Sequence, residues 1–192
     1  MFRYILLAIL FLSGCGTFDT KNSKMSIPEA ISFDYESEHF VSLPVKINGS
    51  NEKKFIFDTG IGINLISKKI CEHHKCKPIG RFIGKRMSGQ EISVDLVEIE
   101  SASLGSYEVK NFVAGIFDVE KLMPNQNIGG FLSVGFFGDR AISIDYNKKS
   151  LTFENNESLK KIKSSGVSTP IKIHKDGPST GITMDFILPN KR

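Results

Sequence analysis

From His39 onward apolar and polar positions alternate. Val41, Leu43, Val45 and Ile47 are separated by Ser42, Pro44 and Lys46, the period of a half-buried strand. Asn48-Gly49-Ser50 is a turn signal, so a hairpin into Lys53 to Phe57 is predicted. A short helix is predicted over Ser67 to His74, with Ser67 as its cap. Gly80 to Gln90 has three glycines, two arginines and a lysine but no long apolar run, and reads as an exposed, mobile hairpin or loop. Alternation returns over Glu91 to Glu100, and a hairpin over Ser101 to Val113 turns at Leu104-Gly105-Ser106. Val113 to Phe117 reads as a short strand and Lys121 to Gln126 as a polar loop. After the glycine-rich block Gly129 to Phe137 come two more strands, Ala141 to Tyr146 and Leu151 to Phe153, around Asn147-Lys148-Lys149. The fold class expected is mainly β, with many short strands and one or two short helices.

Length and charge narrow the picture. The 192 residues suit one domain of ordinary size with some extra. A net charge of +4 without a dense Lys/Arg block gives no basis for nucleic-acid binding. Phe dominates the aromatics, 15 against 4 Tyr and no Trp, which suits a packed β-rich core.

The N-terminus reads as a targeting segment. Arg3 precedes the apolar run Ile5 to Leu12, which is too short to span a bilayer as a mature helix. Leu12-Ser13-Gly14-Cys15 resembles the bacterial lipobox. That resemblance implies a signal peptide over 1–14, lipid on the Cys15 thiol, and attachment at the bacterial cell envelope, on an outer-membrane or periplasmic face. The plainer alternative is an ordinary signal with an incidental Cys. A flexible tether is expected over 15–38. Cys71 and Cys76 read as a disulfide or as free thiols. Their run Cys71-Glu72-His73-His74-Lys75-Cys76 lacks the spacing of a zinc site, so no metal is expected. No phosphate loop or dinucleotide fingerprint is present, and no cofactor is expected.

The candidate chemistry sits at Phe55-Ile56-Phe57-Asp58-Thr59-Gly60. An apolar strand that ends in a carboxylate is unusual, because an unpaired buried charge is costly. This block, Gly130 to Phe137, and Ile142 to Phe153 stand in the order and spacing of the retropepsin-like aspartic proteases, which they resemble from His39 to Glu154. The resemblance implies a closed β-barrel lobe over 39–155. It makes Asp58 one carboxylate of a catalytic pair, supported by Thr59 and Gly60. The Thr59 hydroxyl would reach an opposite loop, and the Gly60 N–H would face the carboxylate. It also implies a flap at Gly80 to Gln90, including Gly84, Ser88 and Gly89, and a peptide or protein substrate. Two positions depart from the pattern. Ile61 stands where Ser or Ala is usual and would crowd the site or remove a hydrogen bond, and Ser133 stands where Gly is usual.

A pair needs a second Asp, and the chain has one Asp-Thr-Gly. The partner is either a second copy of the chain or a second lobe. Ile182 to Asn190 repeats the alternation of Val41 to Gly49, so 156–192 is expected as linker and start of an incomplete second lobe. The alternative is a C-terminal strand that pairs in a dimer. A catalytically inactive peptide-binding lipoprotein on the same fold is the competing function.

Overall fold

The computed structural model describes residues 27–37, 39–85, 88–124 and 126–185. The signal segment, Cys15 and the last residues of the repeat lie outside the described residues.

The chain runs β1 (Glu29–Ser32), β2 (Asp34–Glu36), β3 (Phe40–Ile47), β4 (Lys53–Phe57), β5 (Leu65–Ser67) and α1 (Lys68–His74). There follow β6 (Lys77–Lys85), β7 (Glu91–Leu104), β8 (Tyr107–Phe117), α2 (Val119–Leu122) and β9 (Ile128–Leu132). A 3-10 helix (Val134–Phe137), β10 (Ile142–Asp145), β11 (Ser150–Phe153), α3 (Asn156–Ser165), β12 (Lys172–Asp176) and β13 (Ser179–Thr183) complete it. Among the described strands, β3-β4-β9-β5-β8-β7 form a continuous sheet, and β3–β7 pairing through Lys46↔Ser103 and Ile47↔Ala102 closes it into a barrel. The architecture is the expected one, mainly β with a closed barrel and short helices. Alternation in β3 is read out directly: Val41, Leu43, Val45 and Ile47 are buried, and Leu43 lies opposite Phe55 across the β3–β4 hairpin. The core they join contains Phe112, Phe136, Phe137, Leu151 and Phe153. Ser67 caps α1 by accepting from the Ile70 N–H.

Two expectations need correction. The tether expected over 15–38 is strand from Glu29 onward. β1 pairs with β11, β2 pairs with β3, and Phe33 is 3 % exposed. Ile31, Phe33 and Tyr35 alternate toward the core, and the Glu29 carboxylate accepts from the Ser106 N–H at 2.9 Å. Short strands of this kind hide in polar sequence because every second residue faces water.

Of the two forms expected for Gly80 to Gln90, the hairpin is the one present: β6 extends to Lys85, is mostly exposed, and is paired along β7. β6 lies outside the closed barrel and buries almost nothing, which leaves no apolar run to read. Cross-strand pairs, Arg81 to Asp95 at 2.9 Å and Lys77 to Glu98 at 3.4 Å, hold it instead.

The second correction concerns Val113 to Gln126. The strand expected from Val113 is the end of the longer β8, and the polar loop begins with the turn of α2, capped by Asp118. α2 seats Val119, and Met123 just after it, in a second small apolar cluster with Ile56, Ile128 and Phe131.

Candidate active site

β4 runs parallel to β9, and Asp58 is the first residue beyond β4. Its N–H donates to the Leu132 carbonyl at 3.0 Å, which fixes the carboxylate beside the end of β9. The chain then turns sharply, and the Gly60 N–H donates to Asp58 Oδ1 at 2.7 Å. A Cβ on Gly60 would lie 3.2 Å from that oxygen, so a larger residue would press on the carboxylate. Asp58 is half-buried, while Thr59 and Gly60 are exposed. Among the described residues the Thr59 hydroxyl has no hydrogen-bond partner, and no second carboxylate bonds to Asp58.

Ile61 follows the Asp58 turn and is half-buried. Its side chain packs on the cluster of Ile56, Val119, Met123, Ile128 and Phe131. Ser133, the other departure, is 1 % exposed and fully used. Its N–H and hydroxyl both donate to Asn64 Oδ1, at 3.0 and 3.2 Å.

Asn64 is the residue that sequence reasoning missed. Its side-chain amide donates to the Val113 carbonyl at 3.4 Å, and its own carbonyl accepts from the Gly115 N–H at 2.8 Å. One side chain and its backbone therefore join the Asp58 loop to β8 and to the end of β9. Tyr107 is a second such residue. Its hydroxyl donates to the Phe136 carbonyl at 3.0 Å, bracing the 3-10 helix that follows Ser133. Burial pushes the Tyr107 phenol up, against a downward pull from Arg140 and with a smaller upward push from Asp139.

The remaining candidates are dispersed. Gly84 lies in β6 opposite Ile92, and Ser88 and Gly89 lie in the turn before β7, Gly89 with φ of 82°. Cys71 and Cys76 are joined as a disulfide with Cα atoms 5.1 Å apart, which closes the end of α1.

The lobe is a closed barrel in which the strand β4 ends in a turn-locked carboxylate. The family model for aspartyl protease matches residues 43–136, from β3 to the 3-10 helix. Among solved structures, a retropepsin-like aspartic protease from Rickettsia conorii is 14 % identical. The match covers 66 % of this chain and 89 % of that one, with a TM-score of 0.44. No curated protein sequence matches the chain.

Proposed function

We propose that this chain carries one half of an aspartic-type peptidase site, with Asp58 as its carboxylate. The observation that carries the reading is the Gly60 N–H held at 2.7 Å on Asp58 Oδ1, within the segment that matches the aspartyl protease family. The second carboxylate comes from a second lobe or a second copy. Two carboxylates at close range share one proton and titrate as a unit. The ionised member takes a proton from water as that water attacks the scissile carbonyl, and the protonated member donates to the carbonyl oxygen. The resulting tetrahedral species collapses when a proton passes to the leaving amine, and no acyl-enzyme forms. The exposed Thr59 hydroxyl would meet the opposing loop. The turn between β6 and β7, at Ser88 and Gly89, closes over substrate as a flap.

The test is hydrolysis of quenched fluorescent peptides by the full chain and by Asp58→Asn. Cleavage is expected to fall by about 10³-fold or more, the scale of a lost general acid or base, with the thermal midpoint retained. Among the described residues Asp58 has no carboxylate partner, which favours a second reading as a peptide-binding domain. Peptide binding without cleavage, equal in both proteins, would establish that reading instead.

A further inference from the structure

Positive charge is distributed unevenly along the chain. Residues 27–155 carry 15 Lys and Arg against 17 Asp and Glu. Residues 156–176 carry five lysines, Lys160, Lys161, Lys163, Lys172 and Lys175, against Glu157 and Asp176. Three of those lysines lie on α3, and none of the ten residues of α3 is buried. Leu159 and Ile162 stand three positions apart on one face. Ile162 is 44 % exposed, and Val167 just beyond the helix is 99 % exposed. Lys163 lies four positions after Leu159, beside that face. Lys161 pairs with Glu157 at 3.5 Å, whereas Lys160 and Lys163 have no ion-pair partner among the described residues. A helix that buries nothing in its own fold, and borders an apolar face with unpaired lysines, has the makings of one that lies in the surface of an anionic bilayer.

Its position points the same way. β1 pairs with β11 through Glu29↔Phe153, and Phe153 stands two residues before Asn155, the cap of α3. The chain arriving from Cys15 therefore reaches the lobe where α3 leaves it. Fourteen positions separate Cys15 from Glu29, a reach of about 50 Å at most. Ile27, 75 % exposed, adds apolar surface on that approach.

We propose that α3 is an interfacial helix that docks the lobe on an anionic phospholipid bilayer, with Leu159 and Ile162 in the headgroup layer and Lys160 and Lys163 on lipid phosphates. The proposal takes the lipobox reading of Cys15 as what brings the chain to a membrane, and it is independent of Asp58. A helix of ten residues is about 15 Å long, too short to cross, so α3 lies flat. Lys172 and Lys175, on the wholly exposed β12, add to the attraction. A lipid at Cys15 alone would leave the lobe free to turn. The second contact fixes which side of it meets the bilayer.

Amide exchange on the full chain mixed with lipid vesicles tests this without any readout of hydrolysis. Vesicles of phosphatidylglycerol and phosphatidylcholine supply the anionic surface, and phosphatidylcholine alone the neutral one. The Ile162 and Lys163 amides are expected to exchange roughly tenfold more slowly on the anionic vesicles. That difference should vanish in about 1 M salt. Lys160→Glu combined with Lys163→Glu should abolish it, and Ile162→Ser should reduce it, while an unchanged Phe112 amide shows that the barrel is intact. Equal exchange on the two kinds of vesicle, or slowing that survives the charge reversal, would overturn the proposal. So would equal slowing by soluble polyglutamate, which would make the partner an acidic protein segment. Retention of the chain on neutral vesicles reports on the anchor separately. Retention with α3 unaffected on both vesicles would sink the helix and keep the anchor, and slowing on anionic vesicles without retention on neutral ones would do the reverse.

Discussion

The two hairpins β2–β3 and β12–β13 share a strand pattern and differ in fate. In the first, Leu43 and Val45 are 0 % exposed, whereas in the second, Ile173 is 61 % exposed. Alternation specifies a ribbon with one apolar face, and it says nothing about what covers that face. β3 is paired by β2, β4 and β7 and lies on a core of Phe side chains. Among the described strands, β12 is paired by β13 alone. An isolated two-stranded hairpin is marginal in water, so the bond from the Thr180 N–H to the Gly62 carbonyl, at 2.8 Å, matters to its persistence.

Truncating one apolar side chain on each hairpin puts that comparison to a direct test. Leu43→Ala should cost about 3 kcal/mol by urea unfolding, because the barrel cannot close over the cavity. Ile173→Ala should stay within about 0.5 kcal/mol, as a surface change does. A cost above about 2 kcal/mol at Ile173 would break the contrast, because it would mean that a second copy already buries this face in solution.

A smaller effect is expected at Asn64. Asn64→Ala leaves the buried Ser133 N–H and hydroxyl without their acceptor, which should cost about 2 kcal/mol. Amide exchange at Ser133 and Gly60 should accelerate while β7 and β8 stay protected. Equal acceleration across the barrel would show that Asn64 supports the fold as a whole and not the Asp58 loop.

Much of this was legible from the chain because its signals are local. The β3–β4 hairpin is announced by alternation and by Asn48-Gly49, which take φ of 48° and 67°. Ser67 caps α1 within three residues of its acceptor bond. Asp58 and Gly60 meet across two positions, so the turn can be read from the triplet. Asn64 cannot be read this way, because its partners Ser133 and Val113 lie 69 and 49 positions away. β1 and β2 were hidden by their length, and β6 by its lack of buried residues. α3 carries a local signal that went unused. Asn155 accepts from the Ser158 N–H while Ser158 Oγ accepts from the Asn155 N–H, a reciprocal cap readable from the pair of small polar residues.

The smallest effect belongs to Tyr107, which links the two regions. It begins β8 in the barrel, yet its hydroxyl bonds to Phe136 in the 3-10 helix that also carries Gly135 beneath β13. Tyr107→Phe removes one neutral hydrogen bond and should cost about 1 kcal/mol at neutral pH. Its pH dependence is more diagnostic. Burial holds the folded phenol above its ordinary value of 10.0, so the unfolded chain loses this proton first as pH rises. Between the unfolded and folded values the unfolded state binds fewer protons, and stability must fall with rising pH. Below 10 both states are protonated and the group contributes no slope. The unaltered chain should therefore lose stability above pH 10 more steeply than Tyr107→Phe, so that the gap between them narrows in alkali. Parallel curves would mean that the phenol is open to solvent, and the 3-10 helix would then be a looser seat for β13 than its hydrogen bond to Tyr107 implies.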